Sequence, residues 1–141
     1  MVRNAEIAAV FEEIADLLEL QDENPFKVRA YRQAARLLRG LGAEAAELLA
    51  AGEDLRRLPG IGKELAAKIA DVVQTGTTPA LERLRQSVPA ALRELLRLPG
   101  LGPKRVRALH RELGLTTREG LRQAALQGRI RELAEIGRAH V

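Results

Sequence analysis

The sequence contains no cysteine and no tryptophan, and its aromatic residues amount to only 2% of the chain. Without cysteine there can be no disulfide, no thiolate metal site and no cysteine nucleophile. With so few rings, any core must be built from aliphatic side chains. No stretch alternates apolar and polar residues as a half-buried strand does, so no sheet is expected. No apolar run approaches the ~18 residues that cross a bilayer. The opening Met1-Val2-Arg3-Asn4-Ala5-Glu6 leads into a charged amphipathic segment, unlike a secretory leader. The expected setting is cytoplasmic, with no membrane contact. His110 and His140 are far apart, and His110 with Glu112 lacks the helical spacing of a metal pair. Glu12 and Glu13 read as an ordinary solvated face.

What is present favours helices. The 141 residues suffice for one compact domain or two very small ones in contact. Ala, Leu, Arg and Glu dominate, and each loses little on entering a helix. The net charge of +4 is unevenly spread. Residues 1–24 hold seven acids against Arg3 alone, while the remainder holds 22 bases and 12 acids. A basic body suits a polyanionic partner, although solvated arginine-rich helices have the same composition.

Apolar spacing through Ile7, Val10, Phe11, Ile14, Leu17 and Leu18 predicts a first helix over about 5–20, with Asn4 as its cap. Asn24-Pro25 opens a second that stops at Gly40, with Lys27, Arg29, Arg32, Arg36 and Arg39 on its outer face. A short helix over about 43–51 follows. Helices are also expected over about 79–87 and 89–96, and a last one from a capping box at Thr116 and Glu119 to Gln127.

Two similar segments stand 40 residues apart, which reads as an internal duplication. The first is Leu58-Pro59-Gly60-Ile61-Gly62-Lys63, then a helix with Leu65, Ile69, Val72 and Val73 on one stripe. The second is Leu98-Pro99-Gly100-Leu101-Gly102-Pro103-Lys104, then Val106, Leu109 and Leu113. Proline ends the incoming helix, and the glycines permit positive φ and keep side chains out of the turn. The amides of the turn and of the next helix are left uncompensated, and with the helix dipole they suit a phosphate. Lys63 and Lys104-Arg105 add full charge beside Gly60, Gly62, Gly100 and Gly102. Such a site reads the backbone and is blind to base sequence. A tight interhelical turn with no ligand is the competing reading, and the repetition argues against it. Neither turn has the Gly-Lys-Ser/Thr ending of a phosphate-binding loop.

These turns resemble helix-hairpin-helix motifs, which implies an all-α bundle of short helices that binds DNA without sequence preference. In that family hairpin carbonyls often hold a monovalent cation, K⁺ or Na⁺. The resemblance would assign it to Arg56, Leu58 and Ile61, and in the second copy to Leu96, Leu98 and Leu101. Together with the run Asn24-Pro25-Phe26-Lys27-Val28-Arg29-Ala30-Tyr31-Arg32-Gln33-Ala34-Ala35, the order of elements resembles the amino-terminal region of family X (DNA polymerase beta-like) DNA polymerases, the bacterial branch above all. The resemblance implies a lyase-type domain over 1–80 that grips the 5′-phosphate side of a gap, and a fingers-type hairpin subdomain over 81–134. The partner implied is gapped or 5′-phosphorylated DNA near a bacterial nucleoid, bound by a monomer. The polymerase palm with its aspartates is not among these residues, so no polymerisation is expected of them. The last seven residues, Glu135–Val141, match the translation of a sequencing-library adapter and read as a non-native tail.

Lys68 occupies the position of the family's Schiff-base lysine. On a helical projection it falls just outside the apolar stripe, so partial desolvation and nearby cations are expected to lower its pKa. The same resemblance gives Lys27, Tyr31 and Arg56 to the phosphate side. Glu64 departs from the family pattern, which has a phosphate-contacting lysine there. A solvated helix lysine remains the alternative for Lys68, and a packing role for Tyr31. A non-catalytic helical protein-interaction module is the remaining alternative for the whole chain.

Overall fold

The computed structural model describes residues 1–113. Among them there are only helices and turns: α1 (Asn4–Leu20), α2 (Pro25–Gly40), α3 (Ala45–Ala50), a 3₁₀ turn (Leu55–Arg57), α4 (Lys63–Thr75), α5 (Pro79–Ser87), α6 (Ala90–Leu95) and α7 (Pro103–Leu113). The helix expected from Thr116 and the tail at Glu135–Val141 lie outside the described residues. No described helix is long and apolar enough to cross a membrane.

α1 is the central strut. It packs against α2 over its length and also touches α4, α5 and α7. Ile7, Phe11, Ile14 and Leu17 recur at helical spacing on its inner face and are buried. α2 answers with Val28, Tyr31, Ala34, Ala35 and Leu38, whose alanines let the two axes approach closely. Phe11 meets Tyr31 edge to face, with ring centroids 5.5 Å apart. Ile69 and Val72 of α4, Leu81 of α5, Leu92 and Leu95 of α6, and Val106 and Leu109 of α7 join the same buried cluster.

Asn24 caps α2 as expected, its Oδ1 accepting from Phe26 N–H at 2.9 Å with Pro25 at the first helical position. Asn4 does something else. It lies inside α1, its Oδ1 accepts from the Ala45 amide and its Nδ2 donates to the Ala43 carbonyl, both at 2.8 Å. The Glu44 carboxylate in turn accepts from the Asn4 amide at 2.8 Å. Asn4 therefore caps α3, a partner 41 residues away, and Glu44 returns the bond. α1 ends with Glu23 N–H on the Leu18 carbonyl and Asp22 N–H on that of Glu19. This double closure puts Asp22 at φ 58°, the sole non-glycine with positive φ among the described residues. α3 ends in the same way, but with Gly52 at the left-handed position.

Candidate nucleic-acid interface

The two repeated turns have one geometry. In the first, Ile61 N–H donates to the Leu58 carbonyl at 3.1 Å and Gly60 takes φ +77°. In the second, Leu101 N–H donates to Leu98 at 3.2 Å and Gly100 takes φ +83°. Proline followed by a left-handed glycine makes each a type II turn. The flanking bonds repeat as well. Leu58 and Leu98 donate back to Leu55 and Leu95 at 3.0 Å, and Ala66 and Val106 donate to Gly62 and Gly102 at 2.9 and 3.0 Å. Leu55 and Leu95 are buried beneath the turns. Ile61 plugs the first junction at 3% exposure, whereas Leu101 is half-buried.

The four glycines serve two purposes. Gly60 and Gly100 are required by their positive φ, which a side chain resists. Gly62 has φ −86° and ψ −172°, which any residue adopts, and a Cβ there would meet nothing within 4 Å. A Cβ at Gly102 would likewise find open space. Neither backbone strain nor internal packing accounts for glycine at 62 and 102. What a side chain at either position would obstruct is approach from outside.

The groups left at that surface are donors. Gly62 offers α4 no side-chain cap, and the amides of Gly62, Lys63 and Glu64 have no acceptor among the described residues. In the second hairpin Pro103 removes one N–H, leaving those of Gly102 and Lys104 without acceptors among the described residues. Lys63 and Lys104 are exposed beside them. The Arg105 guanidinium folds back to donate to the Gly100 carbonyl, so it braces its own turn while keeping its charge there. Of the carbonyls considered for a cation, those of Leu58 and Leu98 each accept the turn's own bond. Those of Arg56, Ile61, Leu96 and Leu101 accept none among the described residues. Neutral oxygen donors of this kind fit K⁺ or Na⁺.

Lys27, Tyr31 and Lys68 come together in one hollow of ≈ 360 Å³ between α1, α2, α4 and α5. Lys68 is half-buried on α4, beside the buried Ile69. Tyr31 belongs to the core, and its phenol is pushed up from 10.0 by burial and by the Glu64 charge, so it stays protonated at neutral pH. Glu64 lines the same hollow. Arg56 is absent from it. Its Nε and Nη2 donate to the Asp54 carboxylate at 2.9–3.2 Å, an arrangement that holds the Asp54 carboxyl down at about 2.

Two residues at this surface escaped the sequence reading. Arg83 of α5 lines the hollow with Lys68 and has no carboxylate partner among the described residues. Nothing in its local sequence signals this, because the packing of α5 on α1 puts it there. Phe26 is 72% exposed with the Arg29 guanidinium over its ring at 5.5 Å. Its position off the Val28–Tyr31–Ala35 stripe was the available signal.

The acidic start of the chain is largely neutralised inside the fold. Glu12 pairs with Arg39 and Glu13 with Arg85, both at 2.6 Å. Arg32 holds Asp16 at 3.0 Å and Glu19 at 2.6 Å, and Arg107 holds Asp22 at 2.9 Å. Burial still raises the Asp16 carboxyl above 3.8, against the opposing pull of Arg32. Lys27, Lys63, Lys68, Arg83 and Lys104 form no such pair among the described residues.

Comparison with known proteins agrees with this geometry. Residues 2–78 match the model of a helix-hairpin-helix domain, and residues 92–140 match that of a SAM-like helix-hairpin-helix tandem. The chain is 38% identical over 133 residues to the DNA polymerase/3′-5′ exonuclease PolX of Bacillus subtilis (strain 168). That alignment takes in 94% of this chain and 23% of the relative, in its amino-terminal part.

Proposed function

The chain belongs to the helix-hairpin-helix domain family, and from that footing we propose that it holds DNA by the backbone phosphates at gaps or ends, without sequence preference, as the amino-terminal region of a family X DNA polymerase. The observation that carries this reading is the pair of matching turns, each presenting amides without acceptors among the described residues, beside an exposed lysine and a glycine that neither backbone strain nor internal packing requires. A phosphate received there gains several N–H donors, the positive end of a helix dipole and a full charge together. In this reading the protein acts as a monomer on the bacterial nucleoid, and a K⁺ or Na⁺ ion on the hairpin carbonyls would bridge to the same phosphates.

The test is fluorescence anisotropy with a short gap bearing a 5′-phosphate, the same gap with a 5′-hydroxyl, and blunt duplex, each across a salt series. Tightest binding is expected on the phosphorylated gap, with each neutralised phosphate adding about 0.9 to the log–log salt slope on duplex. Equal affinity for all three DNAs and for heparin would leave only a generic basic surface.

A second reading rests on the hollow that gathers Lys68, Lys27, Tyr31 and Arg83. Here the neutral Lys68 amine attacks the C1′ aldehyde of a 5′-deoxyribose phosphate and water leaves as the imine forms. The imine acidifies the C2′ proton, and its loss expels the 3′-phosphate of the sugar by β-elimination. Borohydride reduction would trap the imine. An adduct formed by the native chain and absent from Lys68→Ala supports the step, and an adduct of equal yield in both refutes it.

A further inference from the structure

A second hollow, of ≈ 670 Å³, lies between the end of α1, the outer face of α2 and the start of α7. It adjoins the second hairpin through Lys104 but is lined chiefly by residues outside either hairpin. Its acids are mostly engaged. Glu19 is held by Arg32 at 2.6 Å and Asp22 by Arg107 at 2.9 Å, and Arg107 also donates to the Glu19 carbonyl at 3.1 Å. These contacts fix both walls. Three further cations, Arg29 and Arg36 on α2 and Lys104 on α7, line the hollow with no carboxylate within 4.0 Å among the described residues. Among the described residues only Glu23 opposes them as an acid without an ion pair. Arg29 and Arg36 stand seven residues apart on one helix face, which places them about 10 Å apart along the axis.

We propose that this groove is a track for the phosphates of an unpaired DNA strand, leading away from the second hairpin. Fixed ion pairs form its walls, and guanidinium and ammonium groups with no carboxylate partner among the described residues supply the attraction. A hollow of this size is matched to small-ligand dimensions of roughly 300–1,000 Å³. It admits a nucleotide or two of a flexible strand and no stacked duplex. A groove that carries positive charge and takes one strand is the arrangement by which single-stranded nucleic acid is gripped. The inference rests on the hairpins binding DNA, since the groove continues their surface.

The experiment uses the full chain with a labelled oligothymidine and a labelled blunt duplex over a salt series. Removal of two single-strand phosphate contacts in Arg29→Gln/Arg36→Gln lowers the log–log slope for the oligothymidine by about 1.4, at about 0.7 per contact. Blunt-duplex affinity stays at the native value. A control, Arg3→Gln/Arg111→Gln, removes the same charge from exposed positions outside the groove and leaves the single-strand slope unchanged. Arg36→Glu, a single exposed change, weakens the oligothymidine more than the duplex and tests the track independently of the double variant. An unchanged slope in the double variant, an equal drop in the control, or equal losses on duplex and single strand would overturn the track while leaving the hairpin reading standing. Failure of the native chain to bind any DNA would overturn both.

Discussion

Replacing Gly62 by alanine separates folding from binding, because the expected binding loss is several times the expected change in stability. The backbone at Gly62 is extended and the added methyl meets open space, so no strain arises. Alanine is a poorer helix cap than glycine by about 0.5–1 kcal/mol. Against this, alanine restricts the unfolded chain, which stabilises by about 0.4–1 kcal/mol. The net change in stability should lie within about 0.5 kcal/mol, on the order of 2 °C in Tm for a chain this long. Binding should suffer far more. A methyl beside the amides of Gly62 and Lys63 stands where a phosphate would approach, and each charge-assisted bond lost is worth about 1.5–3 kcal/mol. One such bond corresponds to roughly a ten- to hundredfold weaker Kd. Gly60→Ala supplies the contrast, since φ +77° costs an L residue about 1–2 kcal/mol. Circular-dichroism melts and anisotropy titrations on both variants make the comparison. Native affinity in Gly62→Ala, or a binding loss no greater than its stability loss, would refute the claim that this glycine exists for an incoming group.

Asn4→Ala should cost about 1–3 kcal/mol, because it strips the α3 cap and leaves the Ala43 carbonyl and Ala45 amide unsatisfied. The melt should shift accordingly, with hydrogen exchange at Ala45 accelerating first. Arg107→Ala removes a carbonyl bond and a pair whose partner Asp22 is largely exposed, so a loss of about 1 kcal/mol is expected. A stability curve indistinguishable from the native one would show that α7 is held by its apolar face alone. The Asp54 carboxyl should titrate at about 2 by NMR and return toward 3.8 in Arg56→Ala. Because its folded value lies below the unfolded one, its contribution is complete above about pH 4 and is lost as pH falls through 2.

How much of this was legible in the sequence depended on whether the signal was local. The Asn24-Pro25 start of α2 and the type II turns need only neighbours in sequence, and Pro-Gly fixes both turns through φ alone. The half-buried setting of Lys68 followed from counting angles around one helix. Asn4 was misjudged for the opposite reason. Its side chain can cap the helix it starts or one 41 residues on, and only the α1–α3 contact decides between them. Arg56 shows the same limit at closer range, since Asp54 two residues earlier competes for its guanidinium. Arg83 enters the Lys68 hollow through the packing of α5 on α1, which no local pattern encodes.

The charge distribution makes the strut more than a packing element. In the sequence the first segment is acidic, with seven acids near one base. In the fold five of those acids, four on α1 and Asp22 just beyond it, are held by Arg32, Arg39, Arg85 and Arg107. Pairs of that kind, half-exposed, contribute little to stability one by one. Their larger effect is to sort the arginines into two sets. Those that face α1 are paired, while Arg83 and the lysines at the hairpins, Lys63 and Lys104, have no carboxylate partner among the described residues. A modest net charge thereby leaves its unpaired cations at the two turns and in the two hollows beside them, which is where an approaching phosphate backbone is steered. Charge reversal on the strut tests this directly. Glu13→Lys would leave Arg85 only its longer Glu82 contact at 3.5 Å and add a cation on α1 rather than on a turn, so it should raise nonspecific affinity without sharpening the preference for a 5′-phosphate. A sharpened preference would mean that the sorting of charge by α1 has been misassigned.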